Sequence, residues 1–319
     1  MATVDERTLA EPRGRSRWAA DPEQATRRHP AEDQGRRLTW RGPFERDRDR
    51  LLHARAFRRL AGKTQLLAVG EGRQVRTRLT HTLEISAAAR TLARHLNLNE
   101  DLAEAIALAH ELGQPPFGNA GARALHDLLS RGPARLKPAN PPARTRGSAR
   151  ESKALAVASQ GFDASTQALR VIDLLEVRYA HAGLNLTDAT REGLFKLRAG
   201  SDVEVPAGID PAGLRPGEPP PLEAECVRAA WLAMTPLHDI EDMISEGFLE
   251  LLDVLRVDDA ARVVARLKKA GGWPRGKFRE RAALHRALVH AAITDVLVAS
   301  QKRLVLADDA GRLPKGAEW

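Results

Sequence analysis

The amino-acid sequence predicts an all-α fold, and three observations lead to that prediction. Alanine, leucine, arginine and glutamate dominate the 319 residues while aromatic residues make up only 4%, and this composition favours helix over strand. Apolar residues recur at helical spacing in several long segments, whereas no alternating strand pattern extends beyond a few residues. Glycine and proline residues separate these segments, as expected at helix ends.

The helical segments are predicted to form one domain over residues 38–319, preceded by a flexible charged arm over residues 1–37. Two mobile loops are expected inside the domain, at about residues 130–150 and 199–221, because prolines and glycines cluster there. The first loop carries six lysines or arginines and no acid. It is therefore a candidate contact for a polyanion, although a charged, disordered segment needs no ligand to explain it.

Each predicted helix follows from a local pattern. Leu51, Phe57 and Leu60 give the stretch from about Phe44 a partly apolar face. A cleaner example begins after Asn99, a good N-cap, and ends at Gly113 before two prolines, so that the His110–Glu111 pair falls in its last turn. Further helices are predicted at 78–96, near 151, and at 163–181, 222–256, 258–269 and 276–303.

Charge and cysteine usage limit the class of protein. The net charge of +8 favours polyanionic partners, namely nucleotides, nucleic acid or anionic lipid, although a generally basic surface needs no such partner. A single cysteine, Cys226, excludes an internal disulfide and suits a reducing cytoplasm. No apolar run approaches the roughly 20 residues that cross a bilayer, so a cytoplasmic protein without membrane contact is expected.

Five sequence blocks carry a family resemblance. In order they read FERDRDRLLHARAFRRLAGKTQL, RTRLTHTLE, EAIALAHELGQPPFGNAG, GLNLTDAT and HDIED. Together they resemble the dGTPase (deoxynucleoside triphosphate triphosphohydrolase) family of HD-domain proteins over roughly residues 40–260. The resemblance implies an α-helical HD fold and metal-dependent cleavage of a dNTP into deoxynucleoside and triphosphate, usually by an oligomer. Some members of that family bind single-stranded DNA.

The resemblance also implies a metal centre, and this chain departs from it. The family's ligand positions fall on His81, His110 and Glu111, where the last replaces an aspartate, and on Trp231, where an aspartate ligand is lost because an indole offers no lone pair. Two imidazoles and one carboxylate are a set that can hold Mn, Mg, Fe or Zn with open positions. A divalent metal is therefore expected to bind weakly or not at all. Alternatively, the two histidines are ordinary buried side chains.

The family's catalytic positions fall on Gln114, Asn119 and Ala122, none of which titrates near neutral pH. They are interpreted as lost catalysts, and no catalytic residue is assigned. The alternative is a rebuilt site that uses another histidine, such as His126 or His238.

The nucleotide-binding half of the site is better preserved. The resemblance implies that Gln65 contacts the nucleoside, Arg78 a phosphate and Asp239 the 3′-hydroxyl, while Thr235 replaces a tyrosine beneath the deoxyribose. On a helix, Trp231 and Thr235 share one side with Asp239 and Asp242, and we expect this side to face the pocket. Pro236 interrupts the same stretch and predicts a kink.

Glu111 raises a separate question, because a carboxylate is unfavourable at a helix C-terminus. We expect a positive partner for it, either a cation or an arginine.

Three functions follow as hypotheses. The preferred one is a deoxynucleotide-binding member of the family with lost or strongly reduced hydrolysis, acting by assembly or regulation, as a homo-oligomer. The second is an active triphosphohydrolase with an unusual metal site. The third is a basic helical protein that binds single-stranded DNA through its arm and loop, although few aromatic residues are available for stacking bases.

Overall fold

The computed structural model describes residues 15–29, 41–67, 75–130, 161–197, 204–206 and 208–310. Within these ranges every regular element is helical, with no strand beyond two isolated bridges, so the all-α prediction is confirmed. The α-helices are α1 (Pro43–Leu52), α2 (Arg55–Arg59), α3 (Arg78–His95), α4 (Glu100–Ala109), α5 (Gly118–Ser130), α6 (Ala164–Arg170), α7 (Asp188–Lys196), α8 (Leu222–Ser245), α9 (Leu251–Leu255), α10 (Asp258–Lys269) and α11 (Lys277–Ala310).

Helix α4 lies at the centre of the fold, because both of its long faces are buried. Leu102 and Ile106 belong to one core cluster, together with apolar residues of α3 and α8. Leu108 and Ala109 belong to a second cluster, shared with residues of α1, α6 and α7. A helix with apolar residues on every side is stable only when other helices surround it, and this explains the EAIALA composition.

The ends of α3 and α4 are fixed by side chains near the functional residues. Thr77 caps α3 by accepting from Thr80 N, and Asn99 caps α4 by accepting from Leu102 N at 3.1 Å, as predicted. Helix α4 ends at Ala109 and His110 is its C-cap. The pair His110–Glu111 therefore follows the helix end rather than lying in the last turn.

Two predicted helices have different boundaries in the structure. The segment 163–181 is helical only as far as 175, because α6 passes into a π-helical turn, Val171–Leu175. The segment 222–256 breaks at Ser245, and Gly247 (φ 77°) follows before α9 begins. Helix α7, capped by Thr187, was not predicted as a helix. The helix expected near 151 lies outside the described residues.

Helix α8 continues through Pro236 as one assigned helix. The predicted kink did not break it. The hydroxyl of Thr235, the residue before Pro236, donates to the Trp231 carbonyl at 2.7 Å.

Part of the predicted arm is packed against the helices. Arg27 donates to Asp47 Oδ1 at 2.5 Å and both side chains are buried, while Trp18 packs against the cluster shared by α3, α4 and α8. Within the predicted loop 199–221, Ile209 and Leu214 are buried in the second cluster. Opposite charges and apolar side chains therefore anchor segments that composition alone suggested were mobile.

Helix α11 contains a segment, Lys277–Asp309, that could span a membrane by length and composition alone. One helix of this kind is weak evidence, and only 17% of its apolar window is buried in the structure. In the structure α11 packs against α8, α10 and α3, and Ala283, Leu284 and Leu297 are buried there.

Replacing Asp47 with alanine should destabilise the protein by about 3–5 kcal/mol, because Arg27 would remain buried without its anion. Thr187 and Thr190 would also lose their shared acceptor. The free energy of unfolding in urea measures this. The matched control is Asp49→Ala in the same helix, where a partly exposed ion pair contributes at most about 1 kcal/mol. Equal losses in the two variants would contradict the prediction.

Candidate metal centre

Three side chains form a buried donor cluster at the junction of α3 and α4. One ligand atom each from His81, His110 and Glu111 lies within 4.8 Å of the others. Their residues are 0%, 3% and 1% exposed, respectively. His110 Nε2 lies 3.4 Å from Glu111 Oε1. The structure thus brings together the three residues that the sequence placed in one metal centre.

Helix packing explains this meeting. His81 lies in the first turns of α3, whereas His110 and Glu111 directly follow the end of α4. Asn97 and Leu98 connect the two helices tightly, with Leu98 N donating to Ala93 O at 2.9 Å. Because the helices run antiparallel from this connection, the start of one lies beside the end of the other.

The positive partner of Glu111 is an arginine. Arg78 Nη1 forms an ion pair with Glu111 Oε2, and the two side chains are only 7% and 2% exposed. Arg78 is one turn before His81 on the same helix. The guanidinium therefore neutralises Glu111 at the position where a metal ion would otherwise do so.

The donor set nevertheless fits a divalent cation. His81 Nε2 is buried and has no hydrogen-bond partner among the described residues, and burial followed by the neighbouring His110 lowers the pKa of His81 to about 2. The imidazole is therefore neutral, which is the form that ligates metals. A cation bound here would have His81, His110 and Glu111 as ligands, and it would compete with Arg78 for Glu111.

Trp231 lies on α8, two turns before His238. It is partly buried and packs against the core cluster formed by α3, α4 and α8. The side chain that the sequence resemblance places at the fourth ligand position thus contributes apolar packing.

The three residues that the resemblance places at the family's catalytic positions differ in burial and location. Gln114 is buried, and Lys63 Nζ donates to its backbone carbonyl at 2.5 Å. Asn119 is exposed and Ala122 is partly exposed, both in the first turns of α5.

Gly118, at the start of α5, is adjacent to Arg78. Its φ is +54°, and a Cβ added there would lie 2.9 Å from Arg78 Nη2. The backbone conformation therefore favours glycine, and an added Cβ would displace the end of the Arg78 side chain.

The four candidate nucleotide contacts differ in their surroundings. Arg78 pairs with Glu111 as described. Gln65 Oε1 and Asp239 Oδ1 are buried without hydrogen-bond partners in the described part of the chain. Burial, followed by the charge of Asp242, raises the pKa of Asp239. Thr235 is already engaged with the Trp231 carbonyl. Two of the four thus offer unused polar atoms.

Comparison with known proteins agrees with this geometry. The HD domain family model matches residues 78–230, a range that contains all three clustered donors. A protein from Bordetella pertussis, named deoxyguanosinetriphosphate triphosphohydrolase-like protein, is 35% identical over 304 residues, covering 93% of this chain and 72% of the relative. The chain belongs to this dGTPase-like family of HD-domain proteins.

Other members of the dGTPase-like family are similar to a comparable degree. Relatives of the same name from Thiobacillus denitrificans and Nitrosomonas europaea are 38% and 37% identical. In both cases the match covers 83% of this chain and 63% of the relative. The chain therefore spans less than two thirds of the length of these two relatives.

The structure of this dGTPase-like chain adds residues that the sequence argument did not assign. His238 Nδ1 lies 2.9 Å from His81 Nδ1, and His238 Nε2 lies 2.8 Å from Glu84 Oε2. Glu84 follows His81 by three residues, a spacing that places both on one face of α3, so the RTRLTHTLE block contained a usable signal. His126, the other alternative histidine, is exposed and faces the Phe162 carbonyl.

The structure gives Asp242 a different role from the expected one. It was expected to face the pocket, and it accepts from both the backbone N and the guanidinium of Arg76, at 3.2 and 3.1 Å. Arg76 additionally pairs with Glu84 and Glu241. Asp242 therefore helps to hold an arginine next to the donor cluster.

Arg78→Met should destabilise the metal-free protein by about 3–5 kcal/mol, because it removes the guanidinium that pairs with the buried Glu111. Mn²⁺ should then raise the melting temperature of the variant more than that of the wild type, since the ion pair with Arg78 no longer competes for Glu111. The matched control is Arg90→Met on the same helix, which pairs with Glu100 at a partly exposed site. An equal Mn²⁺ response in all three proteins would contradict competition at Glu111.

The low pKa of His81 predicts a pH dependence of stability in chelator. Below pH 6.5, its ordinary value, the unfolded chain gains a proton at His81, whereas the folded chain does not until pH nears 2. The wild type should therefore lose about 1.4 kcal/mol per pH unit from this residue as pH falls from 6.5. His81→Asn should remove that slope, and the exposed-site control His126→Asn should retain it. Parallel curves for wild type and His81→Asn would disprove the assignment.

Proposed function

We propose that this chain binds deoxynucleotides at the donor cluster, and that its triphosphohydrolase activity is lost or strongly reduced. The observation that carries the proposal is the buried ion pair between Arg78 and Glu111. In this pair Glu111, a candidate metal ligand, is bound to Arg78, a candidate phosphate contact. A cation and a nucleotide phosphate must both displace this pair before either binds productively.

Reduced hydrolysis is also supported by the loop chemistry. Gln114, Asn119 and Ala122 cannot transfer protons near neutral pH, and general acid–base catalysis typically contributes about 10²–10⁴-fold in rate. Trp231 supplies no fourth donor. These replacements therefore weaken both proton transfer and metal binding.

Nucleotide binding is supported by the polar atoms that remain unused. Gln65 Oε1 and Asp239 Oδ1 are buried acceptors without partners among the described residues, and such atoms are costly unless a ligand or water satisfies them. Asp239 lies close enough to Arg78 for their charges to interact. A deoxynucleoside hydroxyl and a phosphate could therefore be bound by neighbouring side chains.

One observation favours the second hypothesis, an active triphosphohydrolase. His81, His110 and Glu111 are close enough to hold Mn, Mg, Fe or Zn. A metal bound there would polarise a phosphate and lower the pKa of a bound water. In that case Arg78 would leave Glu111 for the triphosphate, and His238 would hold His81 in place.

Single-stranded DNA binding was assigned to the arm and to the basic loop. Residues 131–150 and most of the arm lie outside the described residues, so no contact of the structure favours this function over nucleotide binding. Homo-oligomer formation and a cytoplasmic location are likewise proposed from the family alone.

With Mn²⁺, the purified chain should release little triphosphate from any dNTP, while dNTPs should raise its melting temperature. Triphosphate release and thermal shift measure the two halves of the proposal separately. Single-stranded DNA of matched phosphate concentration is the comparison ligand. Stabilisation by DNA alone would favour the third hypothesis, and turnover that is abolished by His110→Ala would establish the active enzyme.

The double variant Trp231→Asp, Glu111→Asp should bind Mn²⁺ more tightly than the wild type, because it restores an oxygen donor and shortens the carboxylate paired with Arg78. Little hydrolysis should accompany this unless Gln114→His and Ala122→Glu are added. The matched control is Trp231→Ala with Glu111→Asp, which removes the indole without adding a donor. If this control gains the same Mn²⁺ affinity, residue 231 is not a ligand position.

A further inference from the structure

A second group of side chains lies beside the donor cluster. Glu84, His238 and His285 each have a potential ligand atom within 4.8 Å of the others. However, the Arg76 guanidinium already occupies this group: Nε donates to Glu84 Oε2 at 2.9 Å, and Nη2 lies 3.5 Å from His285 Nε2. A fixed positive charge at that distance opposes the binding of a metal cation by this group. Glu84 and His238 therefore have a different role.

The contacts form a continuous chain from a carboxylate to the donor cluster. Glu84 Oε2 lies 2.8 Å from His238 Nε2, and His238 Nδ1 lies 2.9 Å from His81 Nδ1. Both histidines are 0% exposed, so water does not compete for these nitrogens. The remaining nitrogen, His81 Nε2, is the atom left for the cluster with His110 and Glu111.

The charge of Glu84 favours one arrangement of the protons in this chain. The nearby His238 and Arg76 lower the pKa of Glu84 to about 2 against the effect of burial. An ionised carboxylate only accepts hydrogen bonds, so its position 2.8 Å from His238 Nε2, an ion-pair distance without full hydrogen-bond geometry, favours the tautomer protonated on that nitrogen. In this tautomer His238 Nδ1 carries a lone pair and accepts from His81 Nδ1–H.

We infer that Glu84 and His238 are positioning residues that hold His81 in the Nδ1–H form, with the Nε2 lone pair presented to a divalent cation. The effect on metal affinity rests on the proposed three-donor centre. The arrangement of the protons itself does not need a metal. Partners of this kind orient a ligating imidazole and increase its basicity. Glu84 acts through two imidazoles and does not itself contact the cation.

The first test is the tautomer of His81 in chelator, read from long-range ¹H–¹⁵N correlations of the histidine rings. Wild type should show His81 protonated on Nδ1 and His238 protonated on Nε2. Glu84→Ala should release the His238 proton and shift His81 toward the Nε2–H form. Wild-type His81 protonated on Nε2 would overturn the inference, as would a doubly protonated His238.

The second test is Mn²⁺ affinity measured by titration calorimetry. Glu84→Ala should weaken binding by about 10–100-fold. Glu84→Gln, which retains an acceptor oxygen, should fall between Glu84→Ala and wild type. The matched control is Glu241→Ala: this residue also pairs with Arg76 and lies 3.4 Å from His285 Nδ1, but no contact joins it to His238.

The two readouts separate the inference from the proposed function. Equal Mn²⁺ affinity in Glu84→Ala and wild type would overturn the positioning role. If wild type binds no Mn²⁺, the metal centre is refuted, and the tautomer of His81 alone then decides whether Glu84 and His238 set its proton position.

Discussion

Arg78 and Glu111 are opposite charges buried beside each other where α3 and α4 meet, and the surrounding site depends on their pairing. Removing two ions from water costs several kcal/mol each, and only a close partner offsets that cost. Glu111 divides its carboxylate between two neighbours, since Oε1 faces His110 and Oε2 faces Arg78. Any cation or phosphate that binds at this site must therefore rearrange the pair.

A second polar network ties α8 to α3. Arg76 precedes α3 and reaches three carboxylates, two of which, Glu241 and Asp242, are on α8. His238, also on α8, contacts His81 and Glu84 of α3. Buried networks of this kind fix one relative position of two helices, because a shift would leave charged groups without partners. The helix that carries Trp231 and Asp239 is thereby held at a defined position next to the donor cluster.

The side chains of these two networks also hold the helices of the candidate centre together. The histidines and acids perform structural work as hydrogen-bond and ion-pair partners, in addition to any role with a metal. Arg78 supplies the positive charge that Glu111 needs, and His238 occupies the Nδ1 side of His81.

The sequence by itself determined the helical class, the cap of α4, the family and the three donors that meet, because each depends on local spacing or on matching motif blocks. It could not determine that Glu111 pairs with Arg78, that Glu84 and His238 adjoin His81, or that residues 15–29 pack against the helices. Those contacts join residues up to 291 positions apart. The packing of α3 between α4 and α8 brings the site residues within hydrogen-bond distance, whereas the arm meets α1 and α11. No local pattern encodes either packing.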